Sequence, residues 1–164
     1  MLIAVDTNVL LDMADGVDDV VDALAIIRHR IKAGQIIASP TVNIELAYLA
    51  QFAGEVKLRG LARSALQAMT SRWKIKPVNL VPVGHGIVNE IGAKIRNRNI
   101  LPDEEEHDAL ILAEAALLDC SFLLTSDAHL RGIDFQQLTI VLQNAHLGVP
   151  IIATPREIVR KFGS

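Results

Sequence analysis

Leu2-Ile3-Ala4-Val5-Asp6-Thr7-Asn8 is the stretch whose reading decides the fold. The first four residues form a short apolar run of the length expected for a buried strand. A carboxylate, Asp6, stands immediately behind it. Outward from this start the chain alternates between helix and strand signals. Val17, Val20, Val21, Leu24, Ile27 and Ile31 recur at helical spacing, and Gly34 follows as a stop. Ile36-Ile37-Ala38 reads as a second strand. Ser39-Pro40 matches an N-cap with proline at the first helical position, opening a helix through Glu45 to about Ala53.

A further helix is expected over Gly60 to Trp73. Val78 to Val83 reads as a strand, which Pro82 confines to an edge or an end. Gly86 to Arg98 is helical by the spacing of Ile87, Ile91 and Ile95. After the acidic block Asp103-Glu104-Glu105-Glu106, which is expected to face solvent, His107 to Leu118 forms an Ala- and Leu-rich helix. Phe122 to Thr125 is a strand. Asp134 to Ala145 carries both patterns, and the Asp134-to-Gln137 capping-box spacing favours a helix. Pro150 to Ala153 is a last strand, and Thr154-Pro155-Arg156-Glu157 opens a final helix. Apolar strands alternating with helices imply an α/β fold with a mainly parallel sheet covered on both faces. One domain over residues 1–164 is the expectation at this length.

Composition excludes several classes. Of 164 residues 51% are hydrophobic, too many for a disordered chain. The single cysteine, Cys120, rules out an internal disulfide framework and reads as core. Neither a signal peptide nor a membrane span is recognisable, so a soluble, intracellular (cytoplasmic) protein is expected. The net charge of −3 argues at first against a nucleic-acid partner. Its distribution argues the other way. Lys57 to Arg98 holds nine basic residues against Glu90 alone, a local charge of +8. Such asymmetry is either a solvated helical face or a surface for an anionic partner. Arg96 and Arg98 are the residues singled out for nucleic-acid contact.

In parallel sheets, sites form beyond the carboxyl ends of the strands. Asp6 and Asp127 fall there, Asp108 lies in the first turn of the Ala-rich helix, and Glu45 lies about one and a half turns into its own. Each has a plainer role available: a cap for Asp6 or Asp127, a solvated position for Glu45, a favourable first-turn acid for Asp108. Gathered in one crevice, however, four carboxylates need cations to offset their repulsion. Hard oxygen ligands suit Mg²⁺ or Mn²⁺, ions that activate water for phosphodiester hydrolysis. Other chemistries fare worse. His85, His107 and His129 lack zinc-site spacing, Gly84-His85-Gly86 is not a dinucleotide fingerprint, and no serine sits in a nucleophile elbow. Asp6-Thr7-Asn8 lacks the second aspartate of an aspartyl-phosphate phosphatase.

Taken together, these motifs resemble the PIN-domain ribonucleases, including the toxin members of bacterial toxin–antitoxin pairs. The resemblance rests on five stretches in order: Ile3 to Leu10, Val42 to Leu46, His107 to Ala113, Leu123 to Asp127, and Ile151 to Glu157. It implies a three-layer α/β/α sandwich and metal-dependent cleavage of RNA. Asp6, Asp108 and Asp127 would then hold the metal, and Glu45 would complete the catalytic cluster. Thr7 and Asn8 would orient Asp6. The resemblance also implies an antitoxin partner and a homodimer. Gly54 to Val83 has no clear counterpart in the family. Two alternatives stay open: a catalytically silent RNA- or partner-binding module of the same fold, and a small-molecule phosphatase.

Overall fold

The computed structural model describes residues 1–31 and 33–163. Lys32 and Ser164, which the one-domain expectation includes, lie outside the described residues. Five short parallel strands form one sheet in the order β3-β2-β1-β4-β5. They are β1 (Leu2–Val5), β2 (Gln35–Ala38), β3 (Lys76–Pro77), β4 (Phe122–Leu124) and β5 (Ile151–Ala153). The opening apolar run is the central strand. Ala4 pairs with Ile37 on one side and with Leu123 on the other. Helices connect the strands: α1 (Thr7–Asp15), α2 (Asp18–Arg30), α3 (Pro40–Phe52), α4 (Val56–Ala68), α5 (Pro82–Asn97), α6 (Glu106–Leu117), α7 (Ala128–Arg131), α8 (Phe135–Asn144) and α9 (Pro155–Phe162).

Side chains alternate across a strand, so β1 serves both faces. Ile3, Phe122 and Leu124 share one cavity wall with Ile26 and Ile27 of α2 and Ile158 of α9, which fixes α2 and α9 over that face. On the other side α3 packs against α4 and α6, and α6 against α5. Gly92 permits the α5–α6 approach, since a Cβ there would stand 3.3 Å from the Leu110 side chain. The result is a three-layer α/β/α sandwich. Among the described residues no helix is long and apolar enough to cross a membrane.

Several expectations are corrected. The stretch Val78–Val83 is not a strand. The third strand is only Lys76–Pro77, and Pro82 instead opens α5, where its missing N–H costs nothing. The helix expected at Gly60 to Trp73 runs over Val56–Ala68. Helix α1 was not foreseen, because Thr7–Asp15 is too short for its periodicity to stand out. Gly16 ends it at φ +73°, donating its N–H to Asp12 and Met13 carbonyls. Ser39 is the N-cap residue of α3, but its side chain makes no cap bond. The Glu114 carboxylate from α6 takes that place, accepting from the Thr41 N–H at 3.1 and 3.2 Å and from the Thr41 hydroxyl at 2.6 Å. The Thr154–Glu157 capping box forms as expected.

Candidate active site

The strand order reverses between β1 and β4, and the predicted acids are placed around that switch point. Asp6 follows β1 and is almost fully buried, at 2% exposure. Its N–H continues the ladder to the Leu124 carbonyl at 2.9 Å. Its carboxylate accepts from the Thr7 N–H at 2.6 Å, the Asn8 side-chain amide at 3.0 Å and the Thr125 hydroxyl at 2.7 Å. Asn8 thus bonds Asp6 through its side chain and Thr7 through its backbone, while the Thr7 hydroxyl donates to Glu45. Asn8 also accepts from the Ser126 N–H at 3.0 Å, locking the β4 loop to α1. Burial pushes the Asp6 carboxyl up to about 6; the Thr125 and Thr7 bonds oppose that, and the negative charges of Glu45 and Asp127 add to it.

Asp108 comes from the first turn of α6. One of its oxygens, Oδ2, is buried and has no hydrogen-bond partner among the described residues. Burial, then the charges of Asp6, Asp127 and Glu105, push its carboxyl up to about 8. Asp127 caps α7, its Oδ1 accepting from the N–H groups of His129 at 2.7 Å and Leu130 at 3.1 Å. Its capping role and its proximity to Asp6 and Asp108 therefore coexist. Glu45 accepts from the Thr7 hydroxyl and meets His107 Nδ1 at 2.6 Å.

The acids influence one another electrically, yet among the described residues no three His, Cys, Asp or Glu side chains are arranged to hold a metal ion. Asp6 and Glu45 turn oxygens toward protein donors instead. The donor chemistry still fits a hard divalent cation. It is all oxygen, and it includes one orphaned buried oxygen, Oδ2 of Asp108.

Sequence reasoning missed four contributors. Thr125, fully buried at the end of a strand, donates to Asp6 and accepts from the Asp127 N–H at 2.9 Å. A polar residue closing an apolar strand was its signal. His107 pairs with Glu45, and His129 pairs with Glu105 at 2.9 Å. Both histidines failed a zinc-spacing criterion that was the wrong question; adjacency to Asp108 and Asp127 was the useful one. Glu105 is half-buried beside Asp108, whereas Asp103, Glu104 and Glu106 face solvent as expected.

The basic stretch is more committed than its charge suggests. Arg96 pairs with Asp103 at 3.3 Å, Lys57 with Asp15 at 3.3 Å and Lys94 with Glu90 at 3.0 Å. Arg59 and Arg63 donate to carbonyls at the end of α3. Arg98 is exposed, and among the described residues it makes no ion pair.

A family model described as the PIN domain matches residues 3–136. The chain belongs to the PIN-domain family. Members of that family are in general nucleases. The PIN fold is also seen in the likeness to two solved structures. One is VapBC2 from Rickettsia felis bound to a DNA fragment from their promoter, at TM-score 0.62 and 16% identity over 94% of this chain and 98% of that one. The other is FitAB bound to an IR36 DNA fragment, at TM-score 0.55 and 16% identity over 94% of this chain and 95% of that one. A search of curated protein sequences found no match.

Proposed function

We propose that this PIN domain is a cytoplasmic, divalent-metal-dependent endoribonuclease and the toxin of a toxin–antitoxin pair. The observation that carries the reading is the buried, unpartnered Asp108 oxygen in the electrostatic company of Asp6 and Asp127. Burial of an unsatisfied carboxyl beside like charges costs stability, and a cation recovers it. Asp6, Asp108 and Asp127 would hold Mg²⁺ or Mn²⁺. The ion would supply an activated water and charge stabilisation for phosphodiester hydrolysis.

The chain's own residues do the rest. Thr7, Asn8 and Thr125 leave Asp6 no rotational freedom, which a metal with strict octahedral demands requires. Glu45, fixed by Thr7 and His107, is the catalytic carboxylate available to orient the attacking water. Arg98 and, once released from Asp103, Arg96 attract the RNA backbone. The resemblance to toxin members and the fold likeness to VapBC2 and FitAB support an antitoxin partner. Homodimer formation is part of the same reading and is measured directly by sedimentation.

The test is cleavage of a panel of RNAs with Mg²⁺, Mn²⁺ or chelator, comparing the parent with Asp6→Asn. Cleavage that needs the ion and vanishes in the variant is expected. Intact RNA with both ions, with the parent still binding it, would make the chain a silent binding module. Faster hydrolysis of a small phosphate ester than of RNA would make it a phosphatase.

A further inference from the structure

The connection from α4 to β3 is held in one shape. The Trp73 N–H donates to the Ala68 carbonyl at 2.9 Å, the Ile75 N–H donates to the Met69 carbonyl at 2.8 Å, and the Arg28 guanidinium donates to the Trp73 carbonyl. Trp73 and Ile75 are buried, whereas Arg72, Lys74 and Lys76, which alternate with them, are exposed. None of these three side chains makes a hydrogen bond or an ion pair among the described residues, unlike Lys57, Arg59, Arg63, Lys94 and Arg96. No acid stands between Glu55 and Glu90 in the sequence to offset them locally.

Lys74 sits in the left-handed region at φ +52°. The other non-glycine residues with positive φ are Asn99, Asp119 and His146, all of types enriched there; lysine is not. Glycine would adopt this conformation at lower cost. No hydrogen bond or ion pair of the Lys74 side chain offsets that cost, which points outward, to a ligand. A groove adjoins the turn. Thr70 and Pro77, which flank the three cations, line an open cavity of about 510 Å³ together with Pro40, Asn43, Ile44 and Asn79. Pro77 ends β3 and Pro40 follows β2, so the groove lies at the carboxyl edge of the sheet, the edge that carries Asp6 and Asp127. The Asn43 side-chain amide donates to the Ala38 and Val78 carbonyls at 3.1 and 3.4 Å, tying α3 to the end of β3. Glu45 follows two residues later on the same helix.

We infer that the α4–β3 turn and this groove form a track for one RNA strand, in which Arg72, Lys74 and Lys76 hold phosphates away from the acidic cluster. That the polyanion is RNA rests on the nuclease reading; the charge and the concave shape do not. Three solvated, unneutralised cations in one short segment attract a phosphate backbone and gain from counterion release. Contacts of this kind position a strand without reading its sequence. A flat anionic bilayer would meet the cations and leave the groove beside them empty, so a strand is the better fit.

The test uses the full chain carrying Asp6→Asn, so that RNA is bound without being cut. Fluorescence anisotropy follows a labelled single-stranded oligoribonucleotide across a salt series. Adding Arg72→Gln, Lys74→Gln and Lys76→Gln together flattens the slope of log affinity against log salt by about 2, at roughly 0.7 per phosphate contact on a single strand. Between roughly 50 and 200 mM salt the chain with its three cations then loses about 20-fold more affinity than the triple variant. Arg160→Gln with Lys161→Gln, at the end of α9, leaves the slope in place. Lys74→Gly alone melts roughly 1–3 °C higher, its backbone relieved, yet binds RNA more weakly. An unchanged slope in the triple variant, or an equal flattening in the α9 control, overturns the track. Unchanged RNA affinity in Lys74→Gly overturns the role of that lysine. If the triple variant keeps its RNA affinity and loses binding to phosphatidylserine vesicles, the face is a membrane contact and the proposal fails. A parent that cuts no RNA, with the triple variant still losing affinity, defeats the nuclease reading alone, because the binding arm is read without cleavage.

Discussion

Helix α6 carries an acid with buried oxygen in each half, Glu114 wholly buried and Asp108 partly so, and the two are treated in opposite ways. Glu114 is 2% exposed, and both of its oxygens accept hydrogen bonds from Thr41 at the start of α3. The positive end of that helix adds to the stabilisation. Asp108, six residues earlier, has one buried oxygen, Oδ2, with no partner among the described residues, and it faces three other carboxyls, one of which, Glu105, it meets in a side-chain hydrogen bond. Burial alone therefore does not separate the two acids. The structural acid has donors for both oxygens, whereas Oδ2 of the candidate catalytic acid has none among the described residues. The same helix delivers both, so the packing that secures one end holds the strained end in register.

Substitutions should separate the two ends cleanly. The largest effect is expected on cleavage. Asp108→Asn should lower divalent-dependent RNA cleavage by more than roughly 100-fold, since even partners outside the ligand shell cost 10–100-fold at metal sites. Activity close to parental would erase the distinction between the two acids. Next comes Glu114→Ala, which strands the Thr41 donors and opens a cavity. It should destabilise the fold by about 3 kcal/mol, measured as a lower denaturant midpoint at constant slope. A loss under about 1 kcal/mol would mean that the Thr41 bonds are not what secures α3.

The third effect has the opposite sign. The Asp108 carboxyl titrates near 8 in the fold against 3.8 as its ordinary value. The folded protein thus holds a proton that the unfolded chain releases, so this group costs stability as pH rises from about 4 toward 8. Metal-free Asp108→Asn should melt roughly 2–6 °C above the parent at pH 8 and level with it at pH 4. Saturating Mg²⁺ or Mn²⁺ should raise the parent's melting temperature at pH 8 and leave the variant's in place. A variant that melts lower at both pH values would show Asp108 to be an ordinary structural acid. The smallest effect lies away from α6. Thr154→Ala removes half of a reciprocal cap and should cost about 1 kcal/mol with cleavage unchanged.

The sheet was legible in the sequence because its strands are apolar runs separated by helices that bury one face. Four of the five strands were found that way. The third was not, because Lys76–Pro77 has no apolar run to reveal it and is set by pairing with Ile37 and Ala38. The four acids were legible from their places at strand and helix ends. What escaped was the hydrogen-bond company they keep. Thr125 and His129 lie close in sequence to Asp127, yet they matter because the fold sets them against Asp6 and Glu105. The Ser39 cap illustrates the converse: local chemistry named the right position, and a carboxylate from 73 residues away supplied the acceptor. The charge of the basic stretch was also visible, but not that Arg96, Lys57 and Lys94 are already paired.

The hydrogen bond from Thr125 to Asp6 spans 119 residues. Contacts between such distant positions carry a high loop-closure cost and delay folding until the later partner is available. Asp6 precedes Thr125 by 119 residues, so it stays solvated and freely rotating until β4 slots in beside β1. Burial, ladder pairing with Leu124 and the Thr125 donor then arrive together. A chain that has not yet made β4 therefore holds Asp6 and Asp108 without Asp127 or the Thr125 donor, and the acidic cluster assembles only when this distant pairing closes.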